Sequence, residues 1–122
     1  MINLLQHSRR PDISFNRNGV IRITARVVRA LSICPGDALN IALDNGEYLL
    51  YATNFSNKIG QLEAQCYPTK KGSKNFCANS VRLCRGLFDS IGITTHKASF
   101  MIGEAFKRGD IIYAPIITHR PL

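Results

Sequence analysis

The sequence predicts a mainly β fold with short helices, in which two hairpin–helix–hairpin units pack about a pseudo-twofold axis and close into a small barrel. Three observations predict it. Short runs of alternating apolar and polar residues flank turn-forming pairs such as Asn18-Gly19 and Asn45-Gly46. A single short stretch of helical spacing lies between two such hairpins. The same order of pieces then returns in the second half of the 122 residues.

The first unit reads as follows. In "DISFNRNGVIRIT", Ile13 and Phe15 alternate with polar neighbours, as do Ile21 and Ile23 around Arg22. Strands are expected at about 12–16 and 20–24. Asn18-Gly19 between them is the pair a type I′ turn favours, because both central residues need positive φ. Thr24 is the expected N-cap of a helix over "ARVVRAL". Val28 and Leu31 would face the core, with Val27 at the edge of the stripe and Arg26 and Arg29 on the other face. So short a helix must be held by packing. Pro35 is expected to end it, and Pro35-Gly36-Asp37 is turn chemistry in which Asp37 can accept backbone N–H bonds. "ALNIAL" follows, with Leu39, Ile41 and Leu43 alternating, then a tight turn at residues 44–46 and the return strand "EYLLYAT".

The chain is read as one domain: a first repeat at 12–53, a linker at 54–61 ("NFSNKIGQ") and a second repeat at 62–118. In the second repeat, strand-like runs flank Lys70-Lys71-Gly72, "ANSVRLCRGL" matches "ARVVRAL", and "RGDIIYA" mirrors "NGEYLLYA". Arg82 and Arg85 repeat the spacing of Arg26 and Arg29. Each repeat alone leaves its apolar faces uncovered; two together can close and remove exposed edges. A non-repetitive α+β domain is the alternative, and closure by a double-psi topology stays open.

Composition narrows the function classes. A hydrophobic content of 45% supports a real core. No apolar run approaches the roughly 20 residues of a membrane span, and the start "MINLLQHSRRPD" is no export signal, so the expected location is the cytoplasm. Sixteen Lys and Arg against eight Asp and Glu give +8, which favours anionic partners, nucleic acid first. Cys34, Cys66, Cys77 and Cys84 make no CxxC pair and read as small buried hydrophobes in a reducing compartment. Cys77 and Cys84 would share a face if the residues between them were helical, and Cys66, Cys77, Cys84 and His96 are the one alternative metal set.

The stretch "SFNRNGVIRITARVVRALSICPGDALNIAL" resembles the AbrB-like swapped-hairpin (cradle-loop barrel) family of bacterial transition-state regulators and antitoxins related to MazE. The resemblance covers residues 13 to about 52 and is carried by a basic hairpin ending in Gly19, the apolar strand 20–23, the helix 25–31 and the Pro35-Gly36-Asp37 turn. Thr24-Ala25 stands where the family has Pro, and Thr95-His96-Lys97 stands where a second Pro-Gly-Asp would fall. Family members build their barrel from two identical chains; this chain resembles a fused, diverged pair, complete as a monomeric pseudo-dimer or assembling further as a homodimer. The resemblance implies DNA contact by basic hairpins, carried by position onto Arg17, Arg22, Arg26 and Arg29 in the first repeat and Lys70, Lys71, Lys74, Arg82 and Arg85 in the second. Independently of the family, clustered Lys and Arg neutralise phosphates and release counterions, and Arg can read guanine edges.

The expected function is therefore a DNA-binding regulator, with no cofactor. The alternative is a non-catalytic interaction module for an acidic protein. The two differ in whether Arg17, Arg22, Lys70, Lys71 and Lys74 converge on one face. RNA binding is a lesser variant, since most Phe and Tyr are expected in the core. An enzyme is not expected: His7, His96 and His119 are scattered and no nucleotide or hydrolase motif is present. Residues 1–11 read as an arm, basic at Arg9-Arg10.

Overall fold

The runs flanking Asn18-Gly19 pair as strands β1 (Ile13–Asn16) and β2 (Val20–Ile23), with Ile13 opposite Ile23 and Phe15 opposite Ile21. In the computed structural model, which describes residues 10–54 and 63–118, these four side chains are at most 1% exposed. The expected linker, apart from Asn54, lies outside the described residues, as do residues 1–9 of the arm and His119.

The connecting turn departs from type I′. Gly19 N–H donates to Asn16 C=O at 2.8 Å, and of the loop residues only Gly19 has positive φ, at 103°. This is a type I turn closed by a glycine bulge, a three-residue solution. The reason lies across the molecule: the longer loop brings the Gly19 C=O to Ser80 N–H, which donates to it at 2.9 Å. By contrast, the hairpin of β3 (Ala38–Asp44) and β4 (Glu47–Thr53) turns at Asn45 and Gly46 with φ of 50° and 80°. Both central residues there have the sign a type I′ turn needs.

Helix α1 (Ala25–Leu31) begins where expected, but Thr24 does not cap it. Its hydroxyl instead donates to Asp12 C=O at 2.7 Å. Val27 is fully buried and Val28 only partly, the reverse of the expected stripe. Val27 and Leu31, four apart, form the buried row, and Val28 packs at its edge. Nor does Pro35 end the helix. Ser32 adopts φ 54°, and Ile33 N–H donates back to Val28 C=O at 2.9 Å, closing the last turn before the proline is reached. The Pro35-Gly36-Asp37 turn behaves as expected, with Cys34 N–H donating to the Asp37 carboxylate at 2.8 Å.

The later elements are β5 (Tyr67–Pro68), β6 (Phe76–Asn79), α2 (Val81–Ile91), β7 (Lys97–Ile102), β8 (Phe106–Arg108) and β9 (Ile111–Ile117). Helix α2 is properly capped: Ser80 Oγ accepts from Leu83 N–H at 3.0 Å. It ends at Gly92 with φ 89° and a bond from Ile93 N–H to Phe88 C=O. Cys77 lies in β6, so the helical face imagined for Cys77 and Cys84 does not exist.

The described strands form one antiparallel sheet in the order β3-β4-β9-β7-β1-β2-β6-β5, with β8 alongside β9. The sheet curls into a half-barrel, and the segment before β5 meets the start of β3. Leu39 N–H donates to Ala64 C=O at 2.9 Å, Cys66 N–H to Asp37 C=O at 2.8 Å, and Gly36 N–H to Cys66 C=O at 2.7 Å. Inside this barrel-like wall, Phe15, Ile21, Leu50, Phe88 and Phe100 are wholly buried, with Phe15 and Phe100 edge to face at 6.0 Å. Among the described residues no helix is long and apolar enough to cross a membrane.

Candidate nucleic-acid interface

The strand register decides where the basic residues lie. On β2, Ile21 and Ile23 point inward, which leaves Arg22 on the outer face. Arg22 is opposite Ser14 on one side and Cys77 on the other, and Cys77 is opposite Tyr67. The Ile23 end of β2 lies beside Phe76, where the β5–β6 loop bearing Lys70, Lys71 and Lys74 leaves the sheet. Helix α1 starts at the same end, where Ala25 N–H donates to Asn75 Oδ1 at 2.9 Å.

Six of the nine expected residues therefore belong to one end of the sheet or to the helix that leaves it: Arg22, Arg26, Arg29, Lys70, Lys71 and Lys74. Arg17, Arg82 and Arg85 belong to the other end, where β2 starts and α2 begins. Of the five residues expected to converge, Arg22 and the loop bearing Lys70, Lys71 and Lys74 lie toward the Ile23 end of β2, and Arg17 lies toward the opposite end.

Arg17 has a different task. Its Nη2 donates to Ile93 C=O at 2.6 Å and its Nε to Thr95 C=O at 3.2 Å. The guanidinium lies 5.1 Å from the centre of the Phe88 ring. It fastens the first hairpin to the segment between α2 and β7. Arg26 and Arg82 are also engaged, each by an acid that precedes the strands leading into its helix: Arg26 with Asp12 at 3.6 Å, Arg82 with Glu63 at 3.3 Å. Asp12 is 3% exposed and its carboxylate also accepts from Ile102 N–H at 2.8 Å, so it is an anchor for the strand ends. Arg22, Arg29, Lys70, Lys71, Lys74 and Arg85 are exposed and have no acidic partner among the described residues.

The lysine loop is ordered by its own bonds. Ser73 N–H donates to Lys70 C=O at 3.0 Å, with Gly72 at φ 81° as a type II turn requires at that position. The Ser73 hydroxyl accepts from Thr69 Oγ1 and from Asn75 N–H, at 3.0 and 3.1 Å. Three ammonium groups are thus presented from a braced loop.

One residue of the basic arm, not among the nine expected contacts, lies here as well. Arg10 joins Arg22, with Pro11, Ile13, Ser14 and Thr24, in lining a shallow groove of about 230 Å³ on the outer face of β1–β2. The groove surface itself is almost wholly apolar, with the two arginines among the residues that line it. The nine expected cations share a sequence signal that Arg10 lacks: the stretches 13–36 and 64–88 hold all nine and no Asp or Glu.

The cysteines form no centre. Cys66 and Cys84 are buried, Cys77 is half-buried and Cys34 is exposed. Among the described residues no three His, Cys, Asp or Glu side chains gather as metal ligands. Burial pushes the Cys66 thiol up to about 12, helped by the charge of Asp37 and by Cys77, and burial raises Cys84 as well.

The aromatic residues are less uniformly internal than expected. Tyr51, Phe106 and Tyr113 share the outer face of β4, β9 and β8 and are half-exposed, with ring centres 5.2 and 5.8 Å apart. Arg108 covers Phe106 and Tyr113 and pairs with Asp44 at 3.2 Å. No family model, no curated protein and no solved structure matches the chain.

Proposed function

We propose that this chain is a DNA-binding protein, a transcriptional regulator resembling the AbrB family, that contacts phosphates through one end of its curled sheet. The observation that carries the reading is the grouping of Arg10, Arg22, Lys70, Lys71 and Lys74 around the Ile23 end of β2, with Arg29 on the adjoining helix. The exposed Arg22 and a braced loop with three ammoniums would neutralise several phosphates at once, which is the sequence-independent part of DNA affinity. Arg22, fixed in a strand, is the residue suited to reach a base edge.

The fused-repeat reading supports this assignment. The element order runs two strands, a helix and two strands, then two strands, a helix and three strands, with β7 and β8 both paired to β9. β2 pairs with β6 and β4 with β9, as strands related by a twofold axis would. β1 lies on β7, as residues 64–66 lie on the start of β3. In this reading the two ends of the β2–β6 pair are former equivalents that have diverged: one kept its free cations, the other uses Arg17 to brace the fold.

The test is duplex DNA binding over a salt series, comparing the wild type with an Arg22/Lys70/Lys71/Lys74→Ala variant. Log K should fall with log salt by about 0.9 per phosphate contacted, and the variant should flatten that slope. Absence of binding at low salt would end the proposal. A second reading, a non-catalytic interaction module, is favoured by the half-exposed aromatic patch of Tyr51, Phe106 and Tyr113, and predicts that outcome.

A further inference from the structure

We infer that the cleft between α2 and the β3–β4 hairpin is a binding site for a small amphipathic carboxylate with an alkyl or aryl body. The cleft measures about 220 Å³ and is walled by Ile41, Leu43, Leu83 and Leu87, with Gly86 in the helix wall. This site is independent of the DNA-binding reading.

Three features point to an occupant. Leu43 has the inward parity of Leu39 and Ile41 on β3, yet it is 59% exposed at the cleft, an apolar side chain that the described residues leave largely uncovered. Gly86 lies in the middle of α2, with no positive φ, and a Cβ there would meet nothing within 4 Å. Neither conformation nor crowding within the chain calls for glycine, which weakens a helix interior relative to alanine. Its effect is to hold the cleft open. The third feature is polarity at the rim: Tyr48 and Ser90 hydroxyls lie 2.6 Å apart, and Arg82 presents a largely exposed guanidinium. Its one acidic partner, Glu63, is bonded through Nη2, leaving other donors of the fork.

Size and edge chemistry select a small molecule. The volume is below the ~300–1,000 Å³ of drug-sized pockets, so a single ring or short chain fits. Strand addition by a peptide is disfavoured because Asn40 Oδ1 already takes Ile41 N–H at 2.8 Å on that edge strand. An apolar wall with a cation at its rim then matches an acid whose carboxylate stays at the surface.

The experiment is a titration of the full chain with 3-phenylpropanoate and with its neutral amide, followed by amide chemical shifts and calorimetry. Saturable shifts should centre on Leu43, Tyr48, Gly86 and Ser90, with the acid preferred by up to about fivefold, the upper range for an exposed ion pair. Arg82→Gln should remove that preference. Gly86→Leu should abolish binding by filling the cleft, and Gly86→Ala should weaken binding while raising the unfolding midpoint. Shifts confined to the Lys70–Lys74 loop, equal affinity for acid and amide, or no saturation would each overturn the inference. Should Gly86→Leu fail to fold, the wild-type shift map and Arg82→Gln decide the matter alone.

Discussion

Arg17 and Arg22 lie five positions apart in one hairpin; the structure makes Arg17 a brace, Arg22 is proposed to meet DNA, and one pair of measurements separates the two. Arg17→Ala removes two side-chain hydrogen bonds to carbonyls and a ring contact with Phe88. Hydrogen bonds of this kind contribute about 1 kcal/mol each, and a cation over a ring adds about 0.5–1 kcal/mol. The expected loss is about 2–3 kcal/mol, a sizeable share of the roughly 5–15 kcal/mol that holds a domain folded. With a urea slope of about 1–3 kcal/mol/M, the midpoint should fall by roughly 0.7–3 M. Arg17→Lys keeps the charge and loses the fork, so it should remain destabilised. Arg22→Ala, on an exposed face with no acid partner, should stay within about 0.5 kcal/mol of the wild type. In DNA titrations the pattern inverts: Arg22→Ala lowers the salt slope by about 0.9, while the Arg17 variants leave it unchanged. An Arg17→Lys variant as stable as the wild type, or an Arg17→Ala variant that flattens the slope without loss of stability, would refute the assignment.

Three further outcomes are expected. Gly19→Ala should cost about 3–5 kcal/mol, combining an unfavourable φ with a Cβ placed 2.9 Å from Val81 N, whereas Gly46→Ala, with open space around it, should cost about 1–2 kcal/mol; equal losses in urea unfolding would contradict the close packing of hairpin on helix. Ser80→Ala removes a cap and the hydroxyl bond to Glu63, with an expected loss of about 1–2 kcal/mol by thermal or urea unfolding; a neutral change would show that the cap contributes nothing. Cys66, held neutral by burial up to about 12 against an ordinary 9.0, leaves stability untouched below pH 9. Above that, the unfolded thiol ionises first, and stability should fall by about 1.4 kcal/mol per pH unit towards the folded value. Cys66→Ala, unfolded by urea under reducing conditions at pH 8 to 10, should show the shallower fall, and parallel curves for the two proteins would refute the linkage.

What the sequence disclosed was local, and what it concealed was long-range. The hairpins could be read because alternation and Asn-Gly pairs act over a few residues. The break between β7 and β8 could not: Gly103 packs against Pro115, where a Cβ would come within 2.9 Å, and nothing near residue 103 announces it. Val27 displaced Val28 as the buried residue because so short a helix has no rotation of its own; Asp12, Asn75 and the sheet beneath set it. Arg17 was indistinguishable from Arg22 in sequence, since the groups it binds lie 76 and 78 positions away. The candidate site was legible as a class of residue in two acid-free stretches, and which of those residues lie toward one end of the sheet only from the register of β2 on β6.

The placement of β1 and β2 carries a consequence for the order of events as the chain is made. Ile13 pairs with Phe100, and Val20 with Asn79, so both edges of the first hairpin are completed by strands from much later in the chain. At a synthesis rate of roughly 5–20 residues per second, several seconds separate the appearance of the hairpin from that of its last neighbour. During that interval an apolar hairpin with two bare edges must stay in solution, and strand edges of that kind invite pairing with other chains. Arg17, Arg22, Arg26 and Arg29 emerge with the hairpin and the helix after it, and their like charge would oppose such pairing between nascent chains over the same interval.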